Sequence, residues 1–288
     1  MIAEQQVTPT GRDIQSESVT RSIGQPQADH LIYASTVMAA IPQDVQDIAR
    51  DPVGARAMIY GWLLSRKTDL RGTQLAYLQQ HSEPPVYQAI TAIQPSLDKL
   101  DAECRLPLTD LALATLRSLS QLQYAKFKDN LHYLITADGS ISLFEYTLQR
   151  MVVRHLESTF NPQKGPVVQY YALKPLLPAA RALLSTLAYY GHPETENAKS
   201  AFRMGAARLK APLTLLPRDK CGLQPADQAI NKLAVASPQI KKMILAACAV
   251  CVGADGQITR TEAELLRAIA DALGCPIPPV LPGKKLSA

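Results

Sequence analysis

Ala254-Asp255-Gly256-Gln257-Ile258-Thr259-Arg260-Thr261-Glu262 follows an apolar run from Met243 to Gly253, and the same arrangement stands earlier as Ala137-Asp138-Gly139-Ser140-Ile141-Ser142-Leu143-Phe144-Glu145. In each, an apolar helix runs into Asp-Gly, where glycine can take the left-handed conformation that closes a helix. Ile141 or Ile258 is then expected to drop into the core. Ser142 or Thr259 stands three residues before Glu145 or Glu262, the spacing of a capping box that opens the next helix. The two stretches lie 117 residues apart, the separation of Asp138 from Asp255. Held without a gap, that offset aligns Leu148 with Leu265, Arg150 with Arg267 and Leu156 with Leu273, and it pairs apolar Phe127, Leu131 and Val152 with Ile244, Cys248 and Ile269. Two copies of one helix-turn-helix unit are expected, over about 121–158 and 238–275.

The rest of the chain also reads as helix. Asp51-Pro52 offers an N-cap followed by proline at the first helical position, and Ala55, Met58, Ile59, Trp62 and Leu63 then recur at helical spacing. Similar apolar stripes cover 29–41, 70–80, 84–94, 108–136, 142–157, 166–190, 194–209, 226–252 and 260–273. Most are separated by proline or glycine, as at Glu83-Pro84-Pro85, Gln94-Pro95, Asn161-Pro162 and Gly191-His192-Pro193. No segment offers successive period-two alternations bounded by hairpin turns. The expected class is all-α, a multi-helix bundle with two helix-turn-helix repeats. The expected divisions are a flexible arm at 1–25, a helical packing region at 26–105, a helical domain at 106–280 that carries both repeats, and a tail at 281–288.

Composition removes several classes. With 47% hydrophobic and 19% charged residues over 288 positions, the chain is not dominated by disorder. The net charge of +5 is spread along the chain instead of gathered in a tail, and aromatics do not interleave with the cations, so nucleic acid is not an expected partner. Five cysteines, at 104, 221, 248, 251 and 275, are an odd and sparse set, which points to reduced thiols in a cytoplasmic setting. The N-terminal residues lack a basic segment followed by an apolar one, and the longest apolar run spans about half a bilayer.

The acids of the twin turns carry the chemical question. D-G-x-I-x-x-x-E has the spacing of the second half of a calcium loop, but the preceding ligand positions are Leu134 and Thr136 in one copy and Cys251 and Gly253 in the other. An ordinary EF-hand is excluded. Two readings stay open: each Glu caps its helix and each Asp braces its turn, or the units pack about a pseudo-twofold axis. In the second case Asp138, Glu145, Asp255 and Glu262 offer four carboxylates to one hard cation, namely calcium, magnesium, manganese or zinc.

The two A-D-G-x-I-[ST]-x-x-E segments resemble the signature of TerB-like helical domains. The run Glu262-Ala263-Glu264-Leu265-Leu266-Arg267 through Leu273-Gly274-Cys275-Pro276-Ile277-Pro278-Pro279 is similar to the extreme C-terminus of bacterial HtpX-like membrane zinc metallopeptidases, the M-forty-eight family. Ser22-Ile23-Gly24-Gln25-Pro26, Asp51-Pro52 with Ala55-Arg56-Ala57, Leu143-Phe144-Glu145-Tyr146 and Leu187-Ala188 followed by Gly191-His192 agree with the same group, so the likeness runs from about residue 7 to 282. It covers the tail of those proteins and not the peptidase. Histidines 30, 81, 132, 155 and 192 include no pair four apart and none followed by Glu, so the H-E-x-x-H that holds catalytic zinc is missing. The resemblance implies a non-catalytic regulatory or interaction region beside a metalloendopeptidase, at the inner membrane where joined to it. It also implies divalent-metal binding through Asp138 and Glu145 and through Asp255 and Glu262. The implied partners are the peptidase and membrane domain in cis, with protein substrates or an anionic lipid surface. The alternative is a structural scaffold whose acids only cap helices.

The remaining candidates read as structure. Cys248-Ala-Val-Cys251 has metal-ligand spacing, yet no second pair or histidine completes it, and Leu131 and Leu134 take the same places in the first unit. Both thiols are expected in the core, with Cys275 packing the chain end. Lys199, Arg203 and Lys210 form a narrow stripe that suits solvent or lipid headgroups. His132 and His155 are expected to make polar contacts near the surface, since Ala249 and Ala272 replace them in the second unit. Neither a G-x-S-x-G elbow nor a phosphate loop occurs, so independent catalysis is not expected.

Overall fold

A computed structural model describes residues 28–101, 104–136, 143–161, 167–192, 194–255 and 259–278. The expected arm at 1–25, the tail at 281–288, Asp138, the anchors Ile141 and Ile258 and the Ser142 cap lie outside the described residues. Among the described residues thirteen α-helices follow one another: α1 Ala28–Ala40, α2 Gln43–Arg50, α3 Pro52–Leu63, α4 Thr68–His81, α5 Pro84–Leu97, α6 Arg105–Leu116, α7 Gln121–Thr136, α8 Leu143–Phe160, α9 Leu177–Gly191, α10 Thr195–Ala207, α11 Leu223–Ala234, α12 Pro238–Val252 and α13 Arg260–Ala272. The fold is all-α. Among the described residues the only β-type pairing is an isolated bridge between Tyr170 and Ala236.

Several boundaries differ from the sequence reading, each for a local reason. The stripe at 108–136 is two helices, because Ser120 and Gln123 form a reciprocal cap: the Gln123 N–H donates to Ser120 Oγ at 3.2 Å and the Ser120 N–H to Gln123 Oε1 at 3.0 Å. The stripe at 226–252 divides where Pro238 opens α12 and the Ser237 N–H donates to the Tyr170 carbonyl at 2.9 Å. Residues 167–173 are not helical, and a short 3-10 turn at Lys174–Leu176 precedes α9. Helix α5 runs through Pro95 and ends two residues later at Leu97, so the missing proline N–H costs one bond of the last turn. Helix α2 was not foreseen; eight residues, mostly polar, bury only Val45 and Ala49. At Asp51 the expectation holds, with its carboxylate accepting from the Gly54 N–H at 2.8 Å.

Two hydrophobic cores form. The first takes its side chains from α1 to α8, from Val37 to Leu156, and so includes both the 26–105 region and the first repeat unit. Its centre holds Met58, Ile59, Tyr60, Leu78, Ile90, Leu108, Phe127 and Leu131, all buried. The second gathers α9 to α13 around Leu183, Leu184 and Leu187 of α9, which packs on α10, α11 and α12. Helix α8 serves both: Leu148, Met151, Val152 and Leu156 enter the first core, and Tyr146 enters the second.

The first helices of the two units start at the same offset, Gln121 with Pro238. Burial follows that offset as well. Leu148 and Leu265, Leu156 and Leu273, Phe127 and Ile244, Leu131 and Cys248, and Val152 and Ile269 are buried in both copies. Helices α8 and α13, the second helix of each unit, pack directly on one another. Between them Arg154 Nη1 donates to Asp271 Oδ2 at 3.2 Å, and these two residues are themselves 117 apart. His155 Nε2 lies 2.9 Å from the other oxygen of the buried Asp271.

Candidate functional site

Glu145 and Glu262 occupy the same place, the first turn of α8 and of α13, where the positive end of a helix dipole favours a carboxylate. Around Glu262 the capping box is complete. The Thr259 N–H and hydroxyl donate to Oε2, each at 2.8 Å, and the Glu262 N–H returns a bond to Thr259 Oγ1 at 3.2 Å. That uses one carboxylate oxygen. The other, Oε1, lies against Gly191 at the end of α9, where a Cβ would sit 3.0 Å from it. A side chain at 191 would press on the acid, so glycine is what allows the carboxylate to reach α9.

Burial raises the pKa of Glu262 above the ordinary carboxylate value. Its Thr259 hydrogen bonds oppose the shift, the charge of Asp255 adds to it, and His192 pulls against it. The end of α9 carries the complementary evidence. Burial raises the Tyr190 phenol, and the charges of both Glu145 and Glu262 raise it further while Arg105 opposes them. Equivalent acids of the two units therefore bear on one tyrosine. Tyr190 keeps 37% of its surface exposed. His192 is buried at 8% exposure, and its Nε2 has no hydrogen-bond partner.

Of the four acids expected to share a cation, the described residues hold three. Glu145 and Glu262 are both within electrostatic reach of Tyr190, Asp255 is exposed but within electrostatic reach of Glu262, and Asp138 lies outside them. Among the described residues no group of three or more histidine, cysteine or acidic side chains is set to hold a metal ion. The sequence reading did not single out Tyr190, His192 or Arg105 as site residues. The Gly191-His192-Pro193 break was the available signal, since a histidine at a helix end beside a glycine is free to turn back on a neighbour.

The other candidates take structural places. Cys248 and Cys251 are fully buried, and burial pushes the Cys248 thiol up to about 12 and the Cys251 thiol upward also, so neither is a nucleophile or a ready ligand. Cys275 packs against the second core. His155 contacts Asp271, the polar role expected of it. In the basic stripe, Lys199 pairs with Glu196 at 2.6 Å, while Arg203 and Lys210 are exposed. No helix among the described residues is long and apolar enough to cross a membrane. Compared with family models, curated proteins and solved structures, the chain matches none.

Proposed function

We propose that this chain is a non-catalytic, all-α interaction region whose two helix-turn-helix units hold paired acids at one end of α9 to receive positive charge, as a divalent cation or as a basic group of a partner. The observation that carries the reading is that Glu145 and Glu262, which share one place in the two expected units, both act electrostatically on Tyr190. The sequence likeness to TerB-like domains, and to the C-terminal region of HtpX-like zinc metallopeptidases, supports a regulatory role beside a peptidase, with the proteolytic chemistry residing elsewhere. Protein substrates or an anionic lipid surface belong to the same proposal as partners.

Isothermal titration of the whole chain with calcium, magnesium, manganese and zinc tests the cation arm. Binding is expected, and the double change Asp138→Ala, Asp255→Ala is expected to remove it. The complete capping box at Thr259 and Glu262 favours a second reading, a scaffold in which the acids only close helices. Thermal melts separate the two. A scaffold ignores divalent ions, whereas an ion present at a hundred times its Kd adds about 2.7 kcal/mol to the folded state.

A further inference from the structure

We infer that Arg154 and Lys241, which meet over Gly274 at the C-terminal end of α13, form a binding site for a phosphate-class oxyanion. The inference goes beyond the function proposed above and does not depend on the acids of the twin turns.

Three helices build the place. Helix α13 ends in a Schellman turn: the Cys275 N–H donates to the Ala270 carbonyl at 2.9 Å and the Gly274 N–H to the Asp271 carbonyl at 2.7 Å, with Gly274 at a φ of 75°. That left-handed conformation favours glycine, and it leaves a bare, exposed stretch of backbone. Two cations face it. A Cβ at Gly274 would lie 3.3 Å from Arg154 Nη2, delivered by α8, and 3.6 Å from Lys241 Nζ, delivered by α12. The two nitrogens are therefore no farther from one another than those distances added together. Charge-assisted hydrogen bonds of about 2.8 Å let the oxygens of one anion span such a gap.

The donors are available. Arg154 holds Asp271 Oδ2 through Nη1 at 3.2 Å, which leaves Nη2 over, and its side chain is 42% exposed. Among the described residues half-buried Lys241 has neither a hydrogen-bond nor an ion-pair partner. Asp271 does not serve it, because its two oxygens are engaged by Arg154 and by His155 Nε2, the latter at 2.9 Å. Asp110 acts on Asp271 and His155, and neither acid is among the charges that bear on Lys241. Burial lowers the pKa of Lys241, and the Arg154 charge lowers it further against the opposing effect of Cys275.

The negative end of a helix dipole attracts cations, which accounts for their gathering at the end of α13. It does not use up their donors, since the Ala270 and Asp271 carbonyls already accept from backbone N–H groups. Two like charges held this close without an acid between them repel, and an anion bound by both removes the repulsion. Phosphate suits the pair, because it carries up to two charges and offers three or more acceptor oxygens to a guanidinium and an ammonium that arrive from different helices.

The test titrates the whole chain, in low-salt buffer, with inorganic phosphate and with acetate. It also measures partition onto phosphatidylcholine vesicles with and without phosphatidic acid, whose headgroup is a phosphate monoester. Phosphate or the phosphatidic acid vesicles are expected to bind, and Lys241→Gln to weaken that binding about tenfold, the worth of one hydrogen bond to a charged group. Lys241 has no partner to lose, so the variant is expected to fold as the parent does. Lys242→Gln is the control: it removes the same charge from the next, exposed position of α12 and is expected to leave binding within about a factor of two. Binding of phosphate without the vesicles names a free anion as the ligand, binding of the vesicles without phosphate names a lipid headgroup, and either or both uphold the site where Lys241→Gln weakens them. Acetate binding as tightly as phosphate, equal losses from the two lysine variants, or no binding of phosphate or vesicles overturns the inference.

Discussion

The crossing of α10 and α12 shows how closely the helices of the second core are packed. Gly205 of α10 faces α12 so closely that a Cβ there would lie 2.7 Å from the Ala247 carbonyl oxygen and 2.8 Å from Cys251 Cβ. Both contacts are about an ångström inside the favourable range for non-bonded atoms. Neither obstacle is the far end of a flexible side chain, so Gly205→Ala must move one helix off the other. Overpacking of a tight core costs about 1–3 kcal/mol, and a backbone obstacle places this case near the upper end. The same change gains about 1 kcal/mol of helix propensity. The net expectation is a loss of about 2 kcal/mol. Gly72 supplies the control: it lies within α4, and a Cβ there meets nothing within 4 Å. Gly72→Ala then keeps the propensity gain alone, about 1 kcal/mol. Urea unfolding followed by circular dichroism should place the two variants on opposite sides of the parent. Trp62, the sole tryptophan, sits in the first core and reports on that core by its fluorescence. A Gly205→Ala protein as stable as the parent would refute the packing argument.

Two further outcomes follow from single residues. Ser120→Ala removes the side-chain half of the cap that separates α6 from α7 and should cost about 1 kcal/mol in a denaturant midpoint, with Gly at the same place costing less. Glu262 has its folded-state pKa raised by burial, so the folded chain binds its proton more readily than the unfolded one. Its contribution is therefore largest in acid, below the unfolded value, and is lost as pH rises through the folded value. The stability of the parent relative to Glu262→Gln should rise as pH falls through that window; a difference that stays flat with pH would contradict the assigned cause.

The helical class was legible because apolar residues recur at 3.6-residue spacing nearly throughout, and proline or glycine punctuates most of the ends. The offset of 117 was equally legible, and it places the starts of α7 and α12 in register. What escaped was punctuation without proline or glycine. Ser120 ends the stripe at 108–136 through a side-chain bond to Gln123 that the apolar pattern does not record. Among the acids, Glu262 was legible as a cap because that bond spans three residues of one chain segment. Its approach to Gly191 was not, because the acid and the glycine, 71 positions apart in the sequence, are brought together by helix packing.

The sequence by itself determined that this is an all-α chain, since periodicity and caps are local and each is set by residues a few places apart. Only the tertiary structure decided that α8 would divide its faces between two cores, that Arg154 would meet Asp271, and that Glu145 and Glu262 would both come within electrostatic reach of Tyr190. Those arrangements depend on which apolar stripe each helix buries against which neighbour. Hydrophobic burial is non-directional, so a stripe announces that a face will be covered without naming the helix that covers it.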